Sequence, residues 1–145
     1  MTAAFANQYC HFYDDDAFDD TGRAGFRQRV IDGDQLQLCF WRIEGGATGS
    51  VLHHHPDNEQ LGIIVRGALD FRIGAPDDER RVVLRAGDVY LAPVSVWHGD
   101  SIFIGDDEYG ECWILDVFAP PRPDLAPGPR ARAAAAAGRA PEHSA

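Results

Sequence analysis

Short apolar runs separated by turn residues fill the chain between residues 27 and 118, and they lack the period of about 3.6 residues that marks a helix. The runs with the length and the β-branched or aromatic content of strands are Arg27–Ile31, Leu36–Ile43, Ser50–His55, Gln60–Arg66, Ala68–Ile73, Arg80–Arg85, Val89–Ala92, Gly99–Ile104 and Glu111–Phe118. Turn sequences such as Gly-Asp, Gly-Gly and Ala-Pro-Asp-Asp interrupt them. This pattern predicts an all-β antiparallel sandwich or barrel of about nine strands.

Two of the predicted strands are apolar on both faces. In Leu61–Val65 and Ile114–Phe118, strict alternation would leave one polar face for solvent, and that polar face is missing. Both faces of these strands therefore need a cover, either a second sheet or a partner subunit. We expect a homodimer.

The two ends of the chain differ from the middle. Residues 1–26 are expected to form an N-terminal arm that packs on a barrel of residues 27–122, and the Pro/Ala-rich residues 123–145 are expected to form a flexible, disordered tail. The aromatic residues available to hold the arm against the barrel are Phe5, Tyr9, Phe12, Tyr13 and Phe18.

The charge of the chain narrows the choice of partners. The formal net charge is −10, from 13 basic residues, all arginine, against 23 acidic residues. Such a surface repels phosphate backbones and anionic lipid, so we expect neither a nucleic acid nor a membrane as partner. No apolar run approaches the roughly 20 residues that cross a bilayer, and the start has no basic and apolar leader, so a cytoplasmic protein with a small-molecule substrate is expected.

The segment His-His-His-Pro-Asp-Asn-Glu-Gln at residues 53–60 carries the most chemical information. On an extended strand, His53 and His55 point to the same face, and the histidine between them points to the other. A third ligand, Gln60 or Glu59, arrives at the start of the next strand, and His98 follows a Pro-containing loop downstream. Imidazole nitrogens and side-chain oxygens in such a set suit a divalent transition metal.

Residues 53–67 and 87–98 resemble the two motifs of the cupin superfamily. The matching positions are His53, His55, Gln60 and Gly67 in the first motif, and Gly87, Pro93 and His98 in the second. Ser95 replaces the second glycine of the second motif. The resemblance implies a double-stranded β-helix, or jelly roll, that encloses one metal ion.

The resemblance also implies the metal ligands, which are His53, His55, Gln60 and His98. The loop after His55 can hold three or four residues in this family, so Glu59 also fits from the histidine side, but only Gln60 is separated from Gly67 by the six intervening residues of the family motif. A neutral amide leaves the full +2 charge on the ion and makes it a stronger Lewis acid. The spacing does not choose among Zn, Ni, Fe, Mn and Co.

The end of the last predicted strand adds a second match. Small cupins with the His, His, Gln, His ligand set include polyketide cyclases and enzymes that open unsaturated uronates to linear ketouronates. In the ketouronate-forming subset the last strand ends Asp-x-Phe-x-Pro-x-Arg, and this chain has Asp116, Phe118, Pro120 and Arg122 at that spacing. The resemblance implies that Asp116 moves a proton, Phe118 forms an apolar wall and Arg122 pairs with a substrate carboxylate.

The sequence therefore predicts a metal-dependent enzyme for a small anionic or hydroxy-carbonyl substrate, of the isomerase, lyase or ring-opening type, with an unsaturated uronate as the specific candidate. The alternatives are a polyketide cyclase, an iron-dependent dioxygenase and a cupin that binds a metal or ligand without catalysis. A cavity with several arginines favours the uronate, and a cavity lined by Trp and Phe favours the polyketide. Asp100 is a weaker acid or base candidate, and Arg42 and Arg72 are placed either in the cavity or on the surface.

Overall fold

The computed structural model describes residues 8–139 and places ten strands there. The strands are β1 (Asp19–Asp20), β2 (Phe26–Asp32), β3 (Gln37–Glu44), β4 (Thr48–Gly49), β5 (Glu59–Arg66), β6 (Ala68–Gly74), β7 (Val82–Arg85), β8 (Val89–Ala92), β9 (Trp97–Ile104) and β10 (Glu111–Ala119). A 3-10 helix covers Asp15–Ala17 and the helix α1 covers Pro129–Arg139. Of the expected arm and tail, residues 1–7, which include Phe5, and residues 140–145 lie outside the described part.

The strands form two antiparallel sheets. The larger has the order β1-β2-β3-β10-β5-β8, and the smaller has the order β4-β9-β6-β7. Their inner faces meet in one apolar core of Phe26, Ile43, Ile64, Leu69, Phe71, Phe103, Cys112 and Ile114, which draws on both sheets. The all-β jelly-roll class predicted from the sequence is confirmed, and eight of the nine predicted strands lie within two residues of their observed bounds.

The remaining predicted strand, Ser50–His55, is wrong. The short strand β4 ends at Gly49, and residues 50–58 form a loop. This loop contacts β9 through an isolated bridge between His53 and His98 and through a hydrogen bond from Asp100 N–H to Ser50 O at 2.7 Å. Ser50 adopts a left-handed backbone conformation with φ of 34°, which takes the chain out of the extended geometry that strand pairing requires.

The arm covers part of the outer face of the larger sheet. Phe18 is 1% exposed and packs with Phe12 against Phe40 of β3 and Leu115 of β10. The ring of Phe12 also stacks on Trp113, with the ring centroids 5.6 Å apart. Part of the second cover that the two-faced strands require therefore comes from the chain itself.

Helix α1 differs from the disorder that the composition predicts for this segment. The carboxylate of Asp19, itself 5% exposed, accepts hydrogen bonds from the backbone N–H groups of Arg130, at 2.7 Å, and Ala131, at 3.3 Å. These N–H groups have no acceptor inside the helix, so a carboxylate from the other end of the chain caps it. Within residues 8–139 no helix has the length and apolar character that crossing a membrane requires.

A strip of apolar side chains stays open on the outer face beyond the arm. The cross-strand pairs Leu61–Leu91 and Ile63–Val89 lie in this strip, and Leu91 and Val89 are 50% and 53% exposed. Strand β8 is also the edge of the larger sheet, so its outer backbone groups have no strand partner within the described chain. A second copy that packs its own strip on this one would cover the exposed apolar side chains.

We expect light scattering to give about twice the chain mass of 15.9 kDa. Leu91→Lys puts a charge on the open strip and should halve the measured mass. Val83→Lys is the matched control, because Val83 is a similarly exposed residue on β7 of the other sheet. A wild-type protein that is monomeric at micromolar concentration would contradict the dimer.

Candidate metal centre

Three histidines meet at one place in the barrel. His98 lies on the inner face of β9, and His53 pairs with it through two backbone hydrogen bonds, His53 N–H to His98 O at 2.9 Å and His98 N–H to His53 O at 2.7 Å. The ring centroids of His53 and His98 are 4.5 Å apart, and that of His55 is 4.9 and 5.0 Å from them. One ring nitrogen from each lies within 4.8 Å of the others, so these three residues can hold a metal ion.

The middle histidine of the run is kept away from this cluster. The ring of His54 packs against Trp97 with centroids 4.5 Å apart, and His54 is not part of the potential metal-binding group. The alternation expected from an extended chain therefore holds over His53–His55, although the segment is a loop and not a strand.

Backbone carbonyls fix the tautomers of two of the three imidazoles. Nδ1 of His53 lies 2.6 Å from Val51 O, and Nδ1 of His98 lies 2.9 Å from Val96 O. A carbonyl oxygen only accepts, so each Nδ1 carries the proton and each Nε2 keeps a lone pair. Nε2 of His55 is buried and has no hydrogen-bond partner among the described residues. This arrangement is typical of imidazoles that ligate through Nε2 while Nδ1–H is held by the surrounding protein.

Gln60 lies next to the histidines. It is 5% exposed on the inner face of β5, whereas Glu59 is exposed and points to the other face. Its amide Nε2 donates to Tyr90 Oη at 2.8 Å, and its Oε1 lies 2.9 Å from His98 Nε2. With the His98 proton on Nδ1, Oε1 and Nε2 are two lone-pair atoms that face each other. Such a contact is unfavourable by itself and becomes favourable when a cation is shared, so these residues fit a divalent metal.

Burial keeps the imidazoles unprotonated. It is the largest cause that lowers the pKa of His55 to about 4 and that of His98 to about 4. The charge of Arg122 lowers both pKa values further. Both rings are therefore neutral at pH 7, which is the form that binds a metal.

A cavity of about 340 Å³ opens beside the histidines. All seven residues that the sequence assigns to the site line it, namely His53, His55, Gln60, His98, Asp116, Phe118 and Arg122. The sequence missed other lining residues, among them the exposed Thr21, Arg23 and Ser50, the buried Ser101, and Phe26, Trp41 and Phe71 along the wall. Asp100, Arg42 and Arg72 are not among the lining residues: Asp100 pairs with Arg81 at 3.0 Å, and Arg42 with Glu111 at 2.8 Å.

Asp116 is a buried carboxyl group on the cavity side of β10. Burial raises its pKa to about 6, and hydrogen bonds with Gln60 and Tyr90 oppose this rise. Oδ1 of Asp116 accepts a hydrogen bond from Tyr90 Oη at 3.4 Å. A carboxyl group with a pKa close to neutrality is suited to both taking up and releasing a proton near pH 7.

Arg122 stands where the chain leaves β10. Its guanidinium lies over the Phe118 ring, with Cζ 4.8 Å from the centroid, and it pairs bidentately with Asp124 at 2.6 and 3.2 Å. Gln37 fixes the backbone here, because its Oε1 accepts from Arg122 N and its Nε2 donates to the carbonyls of Arg122 and Leu125, all at 3.2 Å. Gln37 is 1% exposed, and the only sequence signal for it was a glutamine inside a predicted strand.

Comparisons with known proteins bear on the family and the fold of the chain. Residues 39–107 match the family model described as Cupin domain, and no curated protein matches the sequence. The fold is similar to KdgF from Halomonas sp., with 24% identity, a TM-score of 0.63 and coverage of 75% of this chain and 90% of that one. An RmlC-like cupin from Shewanella frigidimarina gives the same identity and TM-score over 81% of this chain and 96% of its own.

A larger protein also shares the fold. Oxalate decarboxylase from Lactobacillus farciminis, solved as a formate complex, is 22% identical with a TM-score of 0.59, over 72% of this chain and 32% of its own length. The structural likenesses establish the jelly-roll fold, and together with the family match they confirm the resemblance seen in the sequence.

One matching position and one departure from the motif have a physical explanation. Gly67 has φ of 70°, and a Cβ there would lie 2.3 Å from Ile104 O, so only glycine fits. Ser95, which replaces the second glycine of the second motif, also has a positive φ, of 66°. The backbone conformation that the missing glycine would favour is therefore kept at Ser95.

His55→Ala should remove a metal ligand without unfolding the barrel, because His55 is at the cavity and outside the apolar core. We expect the wild-type protein to retain about one divalent ion per chain after dialysis and the variant to lose it, measured by elemental analysis. His54→Ala is the matched control, since it removes the neighbouring imidazole that faces Trp97. Circular dichroism checks the fold of both variants, and an ion that His55→Ala retains would contradict the site.

Proposed function

The chain carries a cupin domain, and from this premise we propose that it is a metal-dependent enzyme that moves a proton on a small anionic hydroxy-carbonyl substrate. The observation that supports this proposal is the presence of three histidines, an amide, a buried carboxyl group and an arginine in one cavity. An unsaturated uronate that opens to a linear ketouronate has the matching chemistry, since it carries a carboxylate and a hemiacetal oxygen.

Four side chains would hold the metal, namely His53, His55, His98 and Gln60. A divalent ion bound there supplies Lewis-acid polarisation of a substrate oxygen. The carbonyls of Val51 and Val96 keep two of the imidazoles in the ligating tautomer. The protein thus prepares the ligands before any substrate arrives.

Asp116 is the proton carrier in this proposal. Its carboxyl group lies in the wall of the same cavity, beside Gln60 and Tyr90, where a substrate held at the histidines comes within reach. It takes a proton from an oxygen or carbon of the substrate and returns it to another atom, so no outside redox partner is required.

Arg122 and Phe118 orient the substrate. The guanidinium lies over the Phe118 ring at the end of β10, so a substrate carboxylate at Arg122 puts the rest of the molecule beside the histidines. Phe118 also touches His55, with centroids 5.7 Å apart, and forms an apolar wall on that side. Asp124 already pairs with Arg122, and an incoming carboxylate has to share or replace it.

A polyketide cyclase is the second candidate, because aromatic side chains line much of the cavity. Phe26, Trp41, Phe71 and Phe103 form this wall, while Arg23 and Arg122 are the two arginines. The metal-loaded protein can be assayed on both substrate classes. Loss of the absorbance of an unsaturated uronate supports the first candidate, and turnover of an aromatic polyketide alone supports the second. Oxygen uptake during turnover would identify a dioxygenase, and binding without turnover a non-catalytic cupin.

Asp116→Asn keeps the size of the side chain and removes its ability to ionise. We expect kcat on the unsaturated uronate to fall by roughly 10²–10⁴ while the metal content stays unchanged. Asp100→Asn is the control, because Asp100 is an exposed carboxylate of the neighbouring sheet that pairs with Arg81. A near wild-type rate for Asp116→Asn would remove Asp116 from the mechanism.

Arg122→Ala should act on binding more than on the chemical step. Because it removes the carboxylate partner at the end of β10, we expect KM for the uronate to rise more than about 10-fold with a smaller change in kcat. The exposed Arg85→Ala serves as control, since it deletes an arginine that does not line the cavity. A fall in kcat at constant KM would contradict a role in substrate recognition.

A further inference from the structure

Tyr90 has an unusual place in the larger sheet. Tyr90 of β8, Gly62 of β5 and Asp116 of β10 are register partners, so they form one row across three strands on the cavity side. A Cβ on Gly62 would lie 2.1 Å from a Tyr90 ring carbon. The ring therefore occupies the space that a side chain at position 62 would take, and its hydroxyl reaches across β5.

The hydroxyl of Tyr90 connects two groups of the site. Tyr90 Oη accepts from Gln60 Nε2 at 2.8 Å and donates to Asp116 Oδ1 at 3.4 Å. A phenol has one O–H group, and Tyr90 donates it to the carboxylate of Asp116. Toward Gln60 the phenol oxygen can therefore act only as an acceptor. The carboxylate of Asp116 therefore fixes which group donates and which accepts at each step: Gln60 donates to Tyr90, and Tyr90 donates to Asp116.

The direction of the chain determines which end of the amide faces His98. With Nε2 committed to Tyr90, Oε1 of Gln60 is turned toward His98 Nε2 at 2.9 Å. If the amide rotated by half a turn, its NH2 group would donate to the lone pair of His98, and both potential ligands would be blocked. An amide has no intrinsic preference between the two orientations, so its neighbours decide between them. Tyr90 Oη accepts from the amide nitrogen at 2.8 Å, and the Asp116 carboxylate, which also hydrogen-bonds with Gln60, favours the same orientation.

We propose that Tyr90 is a positioning residue for the metal centre: its hydroxyl holds the Gln60 amide with the oxygen toward His98. This inference rests on the metal site of the proposed function. It assigns a role to Tyr90 through Gln60, and it makes Gly62 the residue that gives the Tyr90 ring its space.

Tyr90→Phe tests the proposal, because it removes the hydroxyl and keeps the ring that fills the space above Gly62. The probe is Zn²⁺ alone, and its affinity is measured by competition with a chromophoric chelator at fixed pH. We expect the affinity to fall about 10- to 100-fold, as is typical when a group that orients a ligand is removed. Tyr109→Phe is the matched control, since Tyr109 packs on Trp113 and does not line the cavity.

A second background separates orientation from packing. Glutamate has two equivalent oxygens and needs no choice of orientation, so in a Gln60→Glu protein the additional Tyr90→Phe change should leave Zn²⁺ affinity nearly unchanged. A purely structural role of Tyr90 would cause the same loss of affinity in both backgrounds, because the cycle cancels any general effect of the change on the fold. Thermal unfolding of the metal-free proteins checks that the wild type, the three variants of the cycle and the control are folded.

The outcomes of the cycle are distinct. A large loss of Zn²⁺ affinity when Tyr90→Phe is made in the wild-type protein, together with little or no loss when it is made in the Gln60→Glu protein, supports the proposal. Equal losses in both backgrounds, or no loss in either, would overturn it while the metal site stands. Failure of the wild-type protein and of Tyr109→Phe to bind Zn²⁺ would overturn the metal site and this inference together.

Discussion

The register of β10 decides what the cavity contains. This strand pairs with β3 on one side and β5 on the other, and its alternation sends Asp116 and Phe118 to the cavity and Leu115 and Val117 to the outer face. A slip of one residue would exchange the two sets, so the carboxylate would leave the cavity and two aliphatic side chains would enter it. The apolar packing of the arm on Leu115 and the aromatic contact of Phe118 with His55 both stabilise the observed register.

Burial shifts the pKa values of the two kinds of titratable group in the cavity in opposite directions. Burial disfavours the charged form, so it lowers the pKa of His55 and His98 to about 4 and raises that of Asp116 to about 6. The imidazoles become permanent lone-pair donors at neutral pH. The pKa of the Asp116 carboxyl group moves closer to neutral pH, where the group can both take up and release a proton. One environment thus keeps the two imidazoles neutral and gives Asp116 a pKa closer to neutrality.

The sequence predicts the strands and the cavity residues well, because both depend on local spacing. A period of two places Asp116 and Phe118 on one face. The resemblance to the cupin motif selects Gln60 over Glu59, and Gln60 lies on the inner face. What the sequence does not predict depends on contacts between distant segments. From the sequence, an aromatic residue in a strand, such as Tyr90, is indistinguishable from a core residue. Only the strand pairing reveals that Gly62 lies opposite Tyr90.

The same limit explains helix α1. An alanine-rich segment of this length is marginal as an isolated helix, and the carboxylate that caps it lies more than a hundred positions away in the chain. The tail sequence alone does not identify Asp19 as its partner. The loop around His53 is a similar case, because backbone hydrogen bonds to Ser95, His98 and Asp100 hold it in place.

The contact between Asp19 and α1 also joins the two ends of the described chain into one cooperative unit. Asp19 follows Phe18, the residue through which the arm packs on β3, so the order of the arm and the order of the helix are thermodynamically linked. Loss of α1 would remove the backbone donors of the Asp19 carboxylate, which is 5% exposed. An unsatisfied buried carboxylate is unfavourable, so the packed arm would be destabilised. A change at one terminus is therefore transmitted to the outer face of the larger sheet, on the side away from the cavity.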